Sequence, residues 1–418
     1  MTAPAEARTF EPHRHPYRWA VLAGVWLIYF SFGLLQSAMA PLVAPISADL
    51  RLSHTAMGSI LGAWPLVYIF VAVPCGALID RAGLKWSLLL AAGIMAASGV
   101  LRAVAFDHLT MFLAVALFGL GGPLISIGAP KAIAQWFQGP ERGLAMGISI
   151  TGSSLGVMLA LALTNSVFMP WLEGDWHAAL LVYSGFIVAA GVVWLVLASH
   201  RAVRMAEPAG SGHASIAGQL DIFVELLRLR AVQLVLLMGT GIFFFYHGLA
   251  NWLPEILRSG GMDATAAGLW ASVPVAVGII GALIIPRLAT PPRRFAILLG
   301  LSVCITAGVL FLFIDTVPGL VAAVLFWGIA RGSLMTITVL VLMETRGVDA
   351  GHIGAAGGLF FSAAEIGGVL GPLTLGIMSD ATGGFDAGLW LLAGVGVTLM
   401  AILFVHRASE ARGPASAE

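Results

Sequence analysis

Charged residues are scarce in this chain of 418 residues. Asp, Glu, Lys and Arg make up 10% of it and apolar residues 59%, whereas a typical soluble globular domain is about 25% charged. This composition excludes a soluble domain, and a formal net charge of zero gives no indication of a nucleic-acid partner. The mean hydropathy of +0.96 indicates an integral membrane protein.

Cysteine is equally rare, and motifs for metal, nucleotide or covalent chemistry are missing. Cys75 and Cys304 both lie in apolar segments, so we interpret them as buried thiols and not as a disulfide. There is no phosphate-binding Gly-x-x-x-x-Gly-Lys-Ser/Thr loop and no metal-ligand spacing of His or Cys. The Gly-x-Ser-x-Gly match at 152–156 lies inside a predicted helix with no strand before it. We therefore predict no enzyme activity, no cofactor and no metal site.

Apolar runs of about 20 residues recur along almost the whole sequence. Each can cross a hydrocarbon core about 30 Å thick as a helix, whereas barrel strands would alternate over about ten residues. The predicted fold is an all-α membrane protein with twelve transmembrane helices, numbered helix 1 to helix 12. Their predicted spans are 18–39, 56–79, 86–104, 109–133, 143–165, 178–199, 232–253, 267–286, 294–314, 318–343, 352–378 and 387–406.

The distribution of Lys and Arg predicts the orientation, because basic residues collect in cytoplasmic loops. An even number of helices puts both termini on one side. Sixteen of the 21 basic residues fall on that side, and only Arg51, Arg102 and Arg258 fall on the other. We expect both termini in the cytoplasm and the chain in the cytoplasmic (inner) membrane. Helix 1 is expected to act as its own targeting signal, since residues 1–17 lack an apolar core.

The longest polar stretch, 200–231, lies near the midpoint and separates six helices from six. Within it Ile216, Leu220, Phe223 and Leu227 recur at three- and four-residue spacing, which predicts a helix on the membrane surface. A plain, partly helical linker is the alternative. The predicted organisation is an N-terminal tail over 1–17, a bundle over 18–199, the linker over 200–231, a second bundle over 232–406 and a C-terminal tail over 407–418.

The two halves of the sequence repeat one another. Gly-Ala-Leu-Ile at 76–79, near the end of helix 2, matches 281–284 in helix 8, and 143–156 aligns with 354–367 at an offset of 211. A duplication predicts two pseudo-symmetric six-helix bundles with a solute site near the bilayer midplane between them. Chance similarity among Gly- and Ala-rich helices is the competing interpretation.

The segment 76–85, Gly-Ala-Leu-Ile-Asp-Arg-Ala-Gly-Leu-Lys, resembles the loop motif of the major facilitator superfamily of secondary transporters. That motif has Gly, three residues, Asp, Arg or Lys, one residue, Gly and then basic residues; Leu84 replaces one of these here. Trp136-Phe137 with Glu141-Arg142-Gly143, and 367–372 in helix 11, are also similar to patterns of the family. The resemblance covers nearly the whole chain and implies transport by alternating access, but it specifies the substrate poorly.

The resemblance also implies that this loop motif latches the cytoplasmic side of the outward-open state. The candidate gating residues are Asp80, Arg81, Gly83, Lys85 and Arg142. A carboxylate at the end of helix 2 would be stabilised by the amino terminus of another helix or by a guanidinium such as that of Arg142. Gly83 would permit a tight turn. A charge cluster that only fixes orientation is the alternative.

Arg331 and Glu365 lie near the middle of helices 10 and 11, at similar depth. A lone charge there costs about 2.5–3.5 kcal/mol, so charges held at that depth usually mark a pathway. We predict that Arg331 binds an anionic substrate and that Glu365 couples transport to protons. The two would form an ion pair that substrate, or protonation of Glu365, breaks. A permanent buried pair that only holds helices together is the alternative.

Other polar residues complete the predicted site. His247, in the outer part of helix 7 before Pro254, suits a gate or a proton relay as well as substrate binding. Lys131, late in helix 4, either extends to the cytoplasmic headgroups or joins Arg331 in a positive site. Uncharged candidates for substrate binding, each also explicable as packing between helices, are Tyr29, Gln36, Ser126, Ser154, Tyr246 and Asn251.

These residues favour a secondary transporter that moves a small organic anion, a carboxylate, by proton-coupled transport or exchange. The alternative is proton-coupled efflux of an apolar or cationic compound with Glu365 as its site. Helix 5 lacks the Gly-Pro motif that drug antiporters of the superfamily carry, which counts against efflux. The expected partners are a small-molecule substrate, protons and the lipid bilayer, with no nucleic acid, and we expect a monomer.

Overall fold

The computed structural model of the protein describes residues 11–206, 216–345, 347–349 and 352–411, and these contain helices and turns but no strand. Twelve helices within these ranges are long and apolar enough to cross a membrane, which confirms the predicted number and the all-α class. The membrane helices comprise helix 1 at Arg18–Asp49, helices 2 and 3 together over 54–103, helix 4 at His108–Trp136, helix 5 at Gly139–Trp171, helix 6 at Trp176–Ala198, helix 7 at Arg230–Ser259, helix 8 at Ala264–Leu288, helix 9 at Arg294–Phe311, helix 10 at Val317–Glu344, helix 11 at Ile353–Thr382 and helix 12 at Asp386–Ala411.

Several of these helices are interrupted. Helix 1 is regular over Arg18–Ser37 and continues through short turns to Asp49. Helices 2 and 3 meet at Gly83, whose φ of +75° lies in the region that glycine tolerates, so helix 2 covers 54–82 and helix 3 covers 84–103. Helix 10 consists of two pieces, Val317–Arg331 and Leu334–Glu344.

Both ends of the described chain lie on one side of the molecule, which we call the inner side. The hydroxyl of Tyr17, before helix 1, donates to the carbonyl of Leu197 at the end of helix 6, at 2.9 Å. The guanidinium of Arg407, late in helix 12, lies 4.2 Å from the ring centre of Phe295 at the start of helix 9. The opposite, outer side therefore carries the starts of the even-numbered helices.

Five of the helices that begin on the outer side start with a capping side chain. The first N–H groups of a helix have no partner within it, and an Asp, Ser or Thr just before the helix can accept their hydrogen bonds. The hydrogen bond of Thr110 to Asp107 also holds the pKa of that carboxyl below its usual range. The caps of helices 2, 4, 6, 8 and 10 are Ser53, Asp107, Asp175, Asp263 and Thr316.

The two halves pack in equivalent ways. Helix 1 packs on helix 5, and helix 7 packs on helix 11. At the first contact Gly156 lies against the carbonyl oxygen of Phe30, and at the second Gly367 lies against that of Thr240, both too close for a Cβ atom. Gly156 and Gly367 are related by the offset of 211 found in the sequence. The repeated contact supports duplication over chance similarity.

The bundle of helices 1–6 joins that of helices 7–12 at the outer side. Among the described residues, the hydrogen bonds between bundles lie at the outer ends of helices 2, 5, 8 and 11, such as that from the Asn165 amide to the carbonyl of Ala264 at 3.3 Å. On the inner halves of helices 5 and 11, by contrast, a Cβ at Gly147 or Gly358 would meet no atom within 4 Å. The structure is therefore closed on the outer side.

A helix also forms at Ile216–Arg228, where the sequence predicts a surface helix, and it packs near helices 7 and 11. Leu227, assigned to its apolar face, is exposed at 43%, while Leu226 is buried. Its placement on the membrane surface stays a prediction. Residues 207–215 of the predicted linker, 1–10 of the first tail and 412–418 of the last tail lie outside the described residues.

Candidate functional site

A polar cluster lies at mid-depth on helices 7, 10 and 11. It comprises Tyr246, His247, Arg331 and Glu365, all of which the sequence analysis assigned to the site. Tyr246 and His247 are consecutive on helix 7, so their side chains point about 100° apart around the helix axis. Each therefore contacts a different neighbouring helix, Tyr246 reaching helix 10 and His247 reaching helix 11.

Arg331 ends the first piece of helix 10. Its Nη2 donates to Tyr246 Oη at 2.5 Å, and the guanidinium lies 4.8 Å from the centre of the Tyr246 ring. Its Nε is buried without a hydrogen-bond partner among the described residues. The carboxyl end of the first piece carries partial negative charge and stabilises the guanidinium. The amino end of the second piece, at Leu334, adds partial positive charge nearby, which favours an anion. The guanidinium retains donors that an anion can use.

The break in helix 10 has a packing cause that the sequence analysis missed. Gly332 lies against the carbonyl oxygen of Gly278 on helix 8, too close for any Cβ atom. The next residue, Ser333, has a buried hydroxyl with no partner among the described residues. The Gly-Ser pair directly after Arg331 is the signal that could have predicted an interrupted helix here.

Glu365 has the imidazole of His247 as its titratable neighbour. Glu365 Oε2 lies 3.8 Å from His247 Nε2, and each side chain is only 5% exposed. The same oxygen has no hydrogen-bond partner among the described residues. Gly368, one turn further along helix 11, leaves the room that this carboxylate occupies, since a Cβ there would collide with Oε2. The pair can therefore hold or release a proton with little access to water.

The direct ion pair predicted between Arg331 and Glu365 is not found among the described residues. Each group contacts helix 7 instead, Arg331 through Tyr246 and Glu365 through His247. Similar depth along helices 10 and 11 did not bring the charges together, because helix 7 packs closely on helix 11 and presents its own side chains to both. The two charged groups are linked by adjacent residues of one helix.

Helix 2 of the first bundle contributes two aromatic residues, Trp64 and Tyr68, near the polar cluster. The ring centre of Trp64 lies 5.3 Å from that of His247, across the interface between bundles. Tyr68, one turn further on, exchanges a hydrogen bond with Ser126 of helix 4, Oη to Oγ at 2.9 Å. The sequence analysis named Ser126 but missed Tyr68. The i, i+4 spacing of Trp64 and Tyr68 was the available signal.

The remaining uncharged candidates have separate environments. Tyr29, Gln36 and Ser154 are half-buried on helices 1 and 5. Asn251 donates to the carbonyl of His247, four residues earlier on the same helix, at 2.8 Å. That bond uses one of the two amide N–H donors of Asn251 and supports helix 7 just beyond the polar cluster. A substrate contact at any of these four positions stays a prediction.

Lys131 does not join Arg331. Its Nζ lies 2.5 Å from Oδ1 of Asp80, at the inner end of helix 2, and the two side chains are 37% and 44% exposed. Its long side chain reaches the carboxylate of the adjacent helix, which excludes it from the positive site, and its contact with headgroups stays a prediction. Asp80 is thus paired within its own bundle, and not with Arg142.

The other gating candidates lie around the same inner end. Gly83 makes the expected turn, and Lys85 Nζ donates to Ser199 Oγ at 3.0 Å at the end of helix 6. Arg81 and Arg142 are exposed. The loop motif therefore lies at the inner end of helix 2, in a state where its carboxylate does not contact the second bundle among the described residues, and its role as a latch stays a prediction.

Two six-helix bundles, closed at one side around a charged cluster at mid-depth, define a membrane carrier of solutes. The family model of the Major Facilitator Superfamily matches residues 25–363, so the chain belongs to that family. Membership confirms the resemblance carried by the loop motif and places the protein among membrane transporters, not enzymes.

Relatives and a solved structure agree with this placement. A hexuronate transporter of Bacillus subtilis is 24% identical over 89% of this chain and 90% of its own length. Monocarboxylate transporter 13 of Bos taurus is 30% identical over 73% of this chain and 71% of its own length. The crystal structure of a bacterial homologue of the human lysosomal transporter Spinster, inward-facing and unoccupied, superposes with a TM-score of 0.76 at 17% identity, covering 96% of this chain and 99% of that one.

Proposed function

We propose that this transporter moves a small organic anion, a carboxylate, by alternating access. The observation that carries the proposal is Arg331, a mid-depth guanidinium that hydrogen-bonds a phenol and has no carboxylate partner among the described residues. A guanidinium binds a carboxylate through two parallel N–H donors, and the attraction is strong where water is excluded. Tyr246 holds the guanidinium in place through its hydroxyl and its ring.

The relatives support a carboxylate over other anions. Hexuronates and monocarboxylates, the compounds named for two of the similar transporters, share a carboxylate and differ in the rest of the molecule. Arg331 would bind the shared group. Trp64 and Tyr68, which line the opposite wall, would contact the remainder of the substrate.

His247 and Glu365 form the proposed proton site. The pair is buried, lies next to Tyr246 and has one carboxylate oxygen without a hydrogen bond among the described residues. A proton on Glu365 removes a negative charge close to the anion site, so proton binding and anion binding would favour one another. Proton-coupled transport would move the proton and the anion together, whereas exchange would move one anion for another while the proton stays on Glu365.

The proposed orientation in the membrane is inferred from the distribution of Lys and Arg. The inner side, which carries most of the Lys and Arg, would face the cytoplasm, with both termini there and the chain in the cytoplasmic membrane. Each bundle would move as a unit about the central site, and a single copy would suffice because the described site draws on one chain.

The test is uptake of labelled compounds into proteoliposomes, with a panel of monocarboxylates, hexuronates, uncharged sugars and amines. We expect uptake of at least one carboxylate class. Arg331→Gln should raise its KM about 10- to 100-fold, since a hydrogen bond to a charged group contributes about 1.5–3 kcal/mol. Arg287→Gln, which removes an exposed guanidinium near the inner end of helix 8, is the matched control and should leave KM unchanged.

The same panel addresses the efflux alternative. Uptake or exchange of amines or apolar compounds that is lost in Glu365→Gln and unaffected in Arg331→Gln would reject the carboxylate proposal. Equal carboxylate uptake by the wild type and Arg331→Gln would reject it as well.

A further inference from the structure

The amino-terminal turn of helix 2 is capped by a residue of the other bundle. The backbone N–H groups of His54 and Thr55 donate to the two carboxylate oxygens of Asp380, at 3.0 and 2.7 Å. Asp380 lies in the last turn of helix 11. Helix 2 already has a cap of its own, since Ser53 Oγ accepts from Ala56 N at 3.2 Å. The carboxylate completes the pairing of the first three N–H groups of the helix.

Side chains strengthen this contact. Ser379 Oγ lies 2.7 Å from His54 Nδ1, within hydrogen-bond distance. The imidazole of His54 packs beside two rings of the second bundle, with centroid distances of 5.3 Å to Trp252 and 5.2 Å to Phe385. The start of helix 2 thus contacts polar and aromatic groups of helices 7 and 11 and the ring of Phe385, which lies just before helix 12.

The position of Asp380 has a cost that the contact between bundles offsets. A negative charge in the last turn of a helix is unfavourable for that helix, because its carboxyl end carries partial negative charge. The same charge is favourable at the amino end of another helix. Helices 2 and 11 run antiparallel, so the carboxyl end of helix 11 meets the amino end of helix 2 while the outer side is closed.

We propose that Asp380 and the amino-terminal turn of helix 2 form an outer latch, and that its release is required before the outer side opens. Opening must part helix 2 from helix 11 and leave both the N–H groups and the carboxylate to water. At the other end of helix 2, Asp80 is paired within its own bundle by Lys131. In this conformation helix 2 is therefore held to the second bundle at its outer end. The proposal rests on alternating access and is independent of the substrate.

The experiment measures how often the outer side opens, through the alkylation rate of one buried cysteine. Leu61 is 3% exposed and lies between Gly58 and Gly62, the helix 2 residues that pack on helix 11. Leu61→Cys is placed in a chain with Cys75→Ala and Cys304→Ala, purified in detergent without substrate, and treated with a polar maleimide. The reporter reacts only when the outer halves separate, so its rate follows the open population.

We expect Asp380→Ala to raise this rate about tenfold or more, since two hydrogen bonds to a charged group are lost from the closed state only. Asp175→Ala is the matched control, because Asp175 caps helix 6 at the same outer side through two hydrogen bonds within the first bundle, from the N–H groups of His177 and Ala178. It should lower thermal stability without changing the rate. Asp380→Asn, which keeps one acceptor and removes the charge, should give an intermediate rate and serves if the alanine variant does not fold.

An unchanged rate in folded Asp380→Ala or Asp380→Asn would overturn the latch, as would an equal increase in Asp175→Ala. The measurement contains no substrate, so it separates the latch from the proposed function. A protein whose outer side opens faster in Asp380→Ala but that takes up no carboxylate would refute only the carboxylate proposal.

Discussion

Glu365 Oε2 lies 3.8 Å from Nε2 of His247, and both side chains are almost fully buried between helices 7, 11 and 2. A carboxylate held next to an imidazole, with Trp64 of the other bundle above the ring, can exchange a proton only when the surrounding helices move. Under the proposed function, this contact would relate protonation to the conformational cycle.

Glu365→Gln should abolish accumulation driven by a pH gradient while leaving anion exchange largely intact, because the amide cannot carry a proton but fills the same space. The measurement is uptake into proteoliposomes with and without an imposed gradient. Glu255→Gln is the control: Glu255 is also buried on helix 7, but Arg258 binds it through two hydrogen bonds of 2.6 and 2.8 Å. Loss of gradient-driven uptake in both variants would argue against a specific role of Glu365.

Tyr246→Phe should raise the KM for the transported anion about 5- to 10-fold, since the hydroxyl that holds Arg331 contributes about 1–1.5 kcal/mol. The phenyl ring keeps its contact with the guanidinium, so the effect should be smaller than that of Arg331→Gln. Tyr183→Phe removes a buried hydroxyl bonded to Thr164 in the first bundle at 2.5 Å and should leave KM unchanged. A wild-type KM in Tyr246→Phe would show that the hydroxyl does not position Arg331.

Lys131→Gln should leave both KM and thermal stability nearly unchanged. Its ion pair with Asp80 is more than one-third exposed, and exposed pairs contribute about 0–1 kcal/mol. The KM is measured in the assay used for Arg331→Gln. An increase in KM as large as that caused by Arg331→Gln would instead return Lys131 to the substrate site.

Gly367→Ala should lower the stability of the second bundle by about 1–3 kcal/mol, because the new methyl group meets the carbonyl oxygen of Thr240 and forces helix 7 from helix 11. The midpoint of thermal unfolding in detergent measures this. Gly358→Ala, on the same helix, adds its methyl group to open space and should be neutral or slightly stabilising. Equal losses in the two variants would contradict the packing at Gly367.

Much of the architecture could be predicted from residue types. Apolar runs gave the twelve helices, and the segment 76–85 gave the superfamily, with Gly83 at a turn whose φ is positive. The offset of 211 anticipated the equivalent contacts of Gly156 and Gly367. These features are local or repeated, so they depend little on how helices are arranged in space.

The partners of the charged residues were harder to predict. Arg331 and Glu365 were both named, yet the sequence paired them with each other, whereas the structure pairs each with a residue of helix 7. Lys131 was left between two environments, and its actual partner, Asp80, lies 51 positions away in the sequence. Depth along a helix follows from residue number, but the direction of a side chain around the helix axis depends on which neighbours pack beside it.

The sequence by itself determined that the chain spans a membrane as twelve helices in two related halves, because burial in lipid requires apolar segments whose backbone is fully paired. Only the tertiary structure decided that Tyr246 and His247 separate the two central charges, that helix 10 breaks at Gly332, and that Asp380 caps helix 2. Those relationships arise from the packing of helices distant in the chain, where a carboxylate, a guanidinium or a backbone N–H takes whichever partner lies within about 3 Å.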